Sequence, residues 1–224
     1  MITDCHTHTP AHGAIASGSP EQVRRWLADG APGAFSVGIH PWATAALSPE
    51  ALAAQLSEIE MLARCGRVVA IGEAGFDRLR GGSPAVQREA FMAQAKIAEA
   101  VGKPLVLHVV KGIDDVLVAR RELRSGVPWI WHGFRGNALQ AAQIMRSYPG
   151  IYLSFGEKFN EASPAAVLPD RLLVETDESA LPVSEIASRL DNARGSIPGS
   201  TLSLAGANLQ RLLGGCGVFP EQSR

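Results

Sequence analysis

Seven short apolar runs recur along this chain, at residues 1–8, 35–40, 67–73, 105–110, 127–132, 151–155 and 172–177, with helical periodicity between them. Nothing else in the sequence narrows the possible folds as much. Runs such as V-V-A-I-G, P-L-V-L-H-V-V and R-L-L-V-E-T-D are apolar on both faces, as strands buried on both sides of a parallel sheet must be. Strand, helix, strand repeated with right-handed crossovers leaves an α/β fold of one of two kinds, an open doubly wound sheet or a closed barrel.

The helices carry their own punctuation. Ser19-Pro20, Ser48-Pro49, Ser83-Pro84 and Ser163-Pro164 each set an N-cap hydroxyl before a proline suited to the first helical position. Gly30, Gly66 and Gly102 follow three of these pairs and suit the left-handed conformation that ends a helix. Helices are therefore expected over 19–30, 48–66 and 83–102, and in the tail over 183–195 and 200–214. No low-complexity tract divides the chain, so residues 1–224 are expected to form one domain.

Composition excludes several classes. At 46% apolar and 19% charged the chain is too apolar for disorder, and its net charge of -1 lacks the basic excess of a protein that coats nucleic acid. No apolar run reaches the roughly 20 residues of a membrane span, and the N-terminus is neither a basic nor an apolar signal, so a cytoplasmic location is expected. Cys5, Cys65 and Cys216 are far apart and odd in number, which indicates reduced thiols rather than disulfides or a thiolate metal site.

Function is written at the ends of the runs. His6, His8, His40, His108 and His132, with Glu73 and Asp177, stand at or near their carboxyl ends, which is where α/β barrels and open α/β sheets collect functional groups. In D-C-H-T-H, alternation along a strand puts Asp4, His6 and His8 on one face, so both imidazoles can meet one cation. Each residue alone has a structural explanation: Glu73 as an arginine partner, Asp177 as a helix cap, His108 in the core, His132 packed beside Trp131. Taken together they supply the imidazole and carboxylate donors that zinc, manganese and similar divalent ions accept.

H-T-H at 6–8, G-I-H-P-W at 38–42, G-E-A-G-F-D at 72–77, the single His108 and His132, and E-T-D at 175–177 occur in an order that resembles the TatD-type metal-dependent hydrolases. The resemblance runs over nearly the whole chain. It implies a TIM-type (β/α) barrel and two divalent ions (Zn, Mn or Mg), with His6, His8 and Asp177 on one, His108 and His132 on the other, and Glu73 bridging. It also implies hydrolysis of phosphodiester bonds, usually from the 3' end of DNA. Two cations about 4 Å apart would activate water and neutralise charge on a phosphoryl group, and Asp177, a carboxylate at a strand end, could also accept the water's proton.

The chain departs from the family in two places. Between His8 and Gly38 there is room for only a short second strand, residues 14–17, and no clear strand follows Asp177, so a shortened or incomplete set of strands is expected. After E-T-D, Glu178-Ser179-Ala180-Leu181-Pro182 replaces the family's usual proline, aromatic and basic segment, which bears on the grip of DNA more than on metal. Arg135, Lys111, Arg78 and Lys158 are candidate phosphate contacts, with His40 as a substrate-facing or supporting residue. Trp42, Phe76 and Phe134 are candidates to stack bases. The expected substrate is a DNA 3' end or a small phosphoester. The alternatives are an amidohydrolase-like enzyme acting on an amide, lactone or other ester, and a metal-binding interaction module without turnover.

Overall fold

Three of the four Ser-Pro pairs open α-helices: the hydroxyls of Ser19, Ser48 and Ser83 accept backbone N–H groups at the starts of α1 (Pro20–Ala28), α2 (Pro49–Leu62) and α3 (Pro84–Val101). Gly102, in the left-handed conformation, ends α3. Gly66 does not end α2. That helix stops four residues earlier, where the buried Lys103 ammonium takes the carbonyls of Ala63 and Cys65. The fourth pair opens only a 3-10 turn, Pro164–Ala166, because the Ser163 hydroxyl donates to the Gly136 carbonyl and does not cap.

The computed structural model describes residues 2–214, so Cys216 lies outside it. Eight strands alternate with these and later helices: β1 (Asp4–Thr7), β2 (Ala14–Gly18), β3 (Ala34–Val37), β4 (Val68–Asp77), β5 (Leu105–Val110), β6 (Trp129–Trp131), β7 (Ile151–Phe155) and β8 (Leu172–Val174). Neighbours in sequence are neighbours in the sheet, and every pairing is parallel. A parallel bridge between Thr7 and Asp177, with the Asp177 N–H donating to the His6 carbonyl at 2.9 Å, brings the last strand back to the first. The result is a nearly closed TIM-type barrel.

The set of strands is complete, contrary to the shortened set expected. The short run at residues 14–18 is β2, and the run at 172 is already the eighth strand. Length is saved in the connections instead. β1 passes to β2 without a helix, and β7 reaches β8 through two 3-10 turns, Pro164–Ala166 and Pro169–Arg171.

Alternation along the strands builds two apolar layers. Phe35, Val68, Leu105, Trp129 and Val174 belong to the large cluster that also holds helix residues such as Phe91, Ile144 and Leu190. Cys5, Ile15, Val69, Val106, Ile130 and Leu173 form a second cluster, joined by Leu209, Leu212 and Leu213 of α7 (Ser200–Gly214). Each of those leucines contributes roughly 1.5–3 kcal/mol by burial, an upper range, so α7 is held to the barrel by its own apolar face. Among the described residues no helix is long and apolar enough to cross a membrane.

Asp191, in α6 (Val183–Arg194), fastens the start of α7. Its carboxylate, 2% exposed, accepts the N–H groups of Gly199 (2.6 Å) and Thr201 (2.9 Å) and the hydroxyls of Ser196 and Ser200. Burial alone would raise its pKa, but these donors outweigh it and the carboxyl lies below its ordinary value. A depressed folded-state pKa means stabilisation that is present above the unfolded pKa and lost as pH falls through the folded one. Asp191→Ala is expected to cost about 2–3 kcal/mol at pH 7, by denaturant unfolding, and clearly less near pH 2. An equal cost at both pH values would refute the assignment.

Candidate metal centre

Glycine decides where Glu73 stands. The register of β4 against β5 shifts between Ile71 and Ala74, and the strands come so close that a Cβ on Gly72 would sit 2.4 Å from the Val106 carbonyl oxygen. A Cβ on Gly75 would sit 1.9 Å from that of His108. Gly72 also holds φ +124°, a conformation side chains rarely adopt. The glycines of G-E-A-G thus press β4 onto β5, and Glu73 between them is 5% exposed.

Its two carboxylate oxygens face two separate groups of imidazoles. Oε1 is 3.3 Å from His6 Nε2 and 3.4 Å from His8 Nε2, and Asp177 Oδ1 lies 3.3 Å from His8 Nε2 and 3.8 Å from His6 Nε2. Oε2 is 3.2 Å from His132 Nε2, 3.4 Å from His108 Nδ1 and 3.4 Å from His40 Nε2. All seven residues singled out at strand ends therefore converge. His6 and His8 come from β1 and the residue just past it, His108 from β5, and His132 and Asp177 from the segments after β6 and β8. Asp4 does not join them. It accepts the N–H groups of His6 and Thr176 and the Thr176 hydroxyl, tying the end of β8 to β1, and burial raises its pKa to about 6 despite those bonds.

The donor set fits divalent cations. His6 is fully buried, and neither of its ring nitrogens has a hydrogen-bond partner among the described residues, although Nε2 points between two carboxylates. A lone pair aimed at acceptor oxygens calls for a positive centre between them. Three overlapping sets, His6/His8/Glu73, His6/His132/Asp177 and His40/Glu73/His108, each keep their donor atoms within 4.8 Å of one another. Imidazole nitrogen with carboxylate oxygen suits zinc or manganese, and the carboxylates also suit magnesium.

The electrostatics agree. Burial would raise the Glu73 carboxyl, but His6, His132 and His108 outweigh it and hold it well below the usual range. Burial would lower the His132 pKa, yet Glu73 and Glu175 push it well above the ordinary value. The Asp177 carboxylate raises the pKa of His8, and burial of Asp177 is overcome by His8, His132 and His6, so its pKa falls.

Two carboxylates behind the histidines were not singled out from the sequence. Asp77 Oδ2 lies 3.6 Å from His108 Nε2, and Glu175 Oε1 lies 3.5 Å from His132 Nδ1 while accepting the Gly133 N–H. Each faces the ring nitrogen opposite the one nearest Glu73, the place carboxylates commonly take behind metal-binding histidines. Both lie inside quoted motifs, Asp77 closing G-E-A-G-F-D and Glu175 opening E-T-D, which was the available signal.

A cavity of about 840 Å³ opens over the centre. Of the four candidate phosphate contacts, Lys111 and Arg135 line it; Arg78 is paired bidentately with Asp115, and Lys158 is not among its lining residues. Trp42 and Phe134 both line it, but Trp42 is 46% exposed, whereas Phe134, like Phe76 outside the lining, is 2% exposed and packs on other rings. His40 Nδ1 accepts the Trp42 backbone N–H at 3.1 Å, so the neutral ring carries its proton on Nε2, toward Glu73 and the cavity.

Fold and centre together define a barrel of the metal-dependent hydrolase type, its carboxylate-bridged histidines at the carboxyl edge of the sheet. The chain belongs to the TatD related DNase family, whose model matches residues 16–186. It is 34% identical over 151 residues to the uncharacterized metal-dependent hydrolase YabD of Bacillus subtilis, covering 63% of this chain and 57% of that protein. It is 31% identical over 181 residues to the 3'-5' ssDNA/RNA exonuclease TatD of Klebsiella pneumoniae, covering 74% and 66%. The match thus spans between about half and two thirds of these relatives' lengths. In fold it is similar to YJJV, a TatD homolog from Escherichia coli, with a TM-score of 0.77 at 22% identity over 94% of this chain and 96% of that one.

Proposed function

We propose that this chain is a two-metal hydrolase of phosphoester bonds that acts on the 3' end of single-stranded DNA. The observation that carries the reading is the division of Glu73, with Oε1 toward His6 and His8 and Oε2 toward His108 and His132. His6, His8 and Asp177 would hold one ion and His108 and His132 the other, with Glu73 shared. Divalent ions bound there supply Lewis acidity, lowering the pKa of water and neutralising charge on phosphoryl oxygens.

The chain's own groups do the rest. Asp177, more open than Glu73 with 25% of its side chain exposed, accepts the proton of the attacking water at its carboxylate. His40 donates its Nε2 proton in a hydrogen bond to a substrate oxygen. Arg135 and Lys111, on the loops after β6 and β5, take phosphate oxygens. Asp77 and Glu175 keep His108 and His132 from rotating. The exonuclease names carried by several relatives support the choice of nucleic acid.

The test is a substrate panel on chelator-treated protein, with magnesium, manganese or zinc added back: a single-stranded oligodeoxynucleotide, an aryl phosphomonoester and a lactone. Shortening of the oligonucleotide from its 3' end, abolished by the chelator and restored by metal, is the expected result. Turnover of the lactone alone would move the protein to carbonyl chemistry. Stoichiometric metal without turnover on any substrate would make it a binding module.

A further inference from the structure

Trp42 is a large aromatic ring left 46% exposed at the cavity, and its orientation is fixed. The indole Nε1–H donates to Asp77 Oδ2 at 2.5 Å, the same oxygen that lies 3.6 Å from His108 Nε2. Its ring centroid is 4.8 Å from that of His40 and 5.7 Å from that of His108, which puts it beside the Oε2 side of the centre. The Arg80 guanidinium sits over the indole, 4.6 Å from the ring centroid, and also lines the cavity.

Two segments distant in sequence are joined to make this arrangement. Asp77 Oδ1 accepts the N–H groups of Leu79 and Arg80, and the Gln87 amide takes the carbonyls of Asp77, Arg80 and Gly82. Thr44, in the 3-10 turn Pro41–Ala46 that also carries Trp42, accepts the Gly82 N–H. The ring and the backbone that carries Arg80 are therefore ordered before any ligand arrives, and the guanidinium rests on the indole, which lowers the entropy lost on binding.

Charge indicates what the pair would hold. Arg78, two residues before Arg80, is neutralised by Asp115, whereas the Arg80 guanidinium has no carboxylate partner among the described residues. Arg80, Lys111 and Arg135 follow three adjacent strands, β4, β5 and β6, so positive charge runs along one rim of the cavity. A lone phosphoester at the centre leaves that rim unused, whereas a chain of nucleotides would follow it.

Building on the phosphoester reading, we propose that Trp42 and Arg80 form a subsite for the nucleotide next to the scissile phosphate, the indole carrying its base and the guanidinium its phosphate. The ligand is a single-stranded oligonucleotide rather than a mononucleotide.

Binding without hydrolysis tests this directly. A fluorescein-labelled tetrathymidylate and the same oligomer built from abasic tetrahydrofuran units are titrated into the 224-residue chain in EDTA at low salt. Trp42→Ala is expected to weaken the normal oligonucleotide roughly tenfold, the scale of one stacked base, and the abasic chain less than about twofold, with Trp42→Phe recovering most of the loss. Arg80→Ala is expected to weaken both equally and to reduce the slope of log affinity against log salt by about 0.7, one phosphate's share.

Equal losses on both ligands with Trp42→Ala, no effect of Arg80→Ala, or no binding by the unsubstituted protein would overturn the subsite. Metal-dependent cleavage alongside any of these results would leave the phosphoester reading standing. Base-discriminating binding without any cleavage would do the opposite.

Discussion

Asp177→Asn is expected to retain most of the bound metal while lowering kcat about 100- to 10,000-fold, the range for loss of a positioned general base. The substitution suits this backbone. Asp177 has φ +53°, and Asn is among the few residues that tolerate the left-handed region, so neither the bond from its N–H to the His6 carbonyl nor the bridge to Thr7 need move. One amide oxygen remains to face His8 and His6, so a metal donor survives, but an amide accepts no proton at working pH. Surrounding histidines depress the Asp177 pKa, which keeps the native carboxylate ionised and ready. Metal content by elemental analysis, set beside steady-state turnover, checks both halves, and full activity in the variant would remove Asp177 from the proton transfer.

Glu73→Gln carries the other large effect. An amide in place of the carboxylate removes the one negative charge that all five imidazoles face and turns one of the two oxygens into a nitrogen donor. Replacing residues that only support a metal ligand typically costs about 10- to 100-fold in metal affinity, the range expected for Glu175→Gln behind His132. Glu73→Gln should exceed that upper figure, with turnover lost in parallel. Competition with a chromogenic chelator measures both variants on one scale. If Glu73→Gln binds metal no more weakly than Glu175→Gln, Glu73 is not the bridge.

Much of this was readable from the residues because the signals are local. Short doubly apolar runs and Ser-Pro starts reflect strand and helix chemistry that needs no partner, and strand ends place histidines wherever the sheet closes. What escaped depended on contacts between elements. The apolar run at 67–73 stops at Glu73, yet β4 continues to Asp77: Gly72 and Gly75 are demanded by the nearness of β5, not by a turn. Gly66 looked like a helix stop until Lys103, from beyond α3, supplied one earlier. Asp77 and Glu175 gain their roles only through the strands beside them. Arg78 and Arg80 cannot be told apart in sequence, because only the fold shows that Asp115 neutralises the first.

The parallel bridge between Thr7 and Asp177 also governs when the protein can act. His6 lies in β1 and His8 just past it, Asp177 follows β8, and the Asp177 N–H reaches the His6 carbonyl only once the ring of strands has come round. During synthesis the earlier imidazoles leave the ribosome without their carboxylate partner across the seam. A half-made chain therefore has no assembled centre, and metal-dependent hydrolysis is withheld until the barrel's two ends have met.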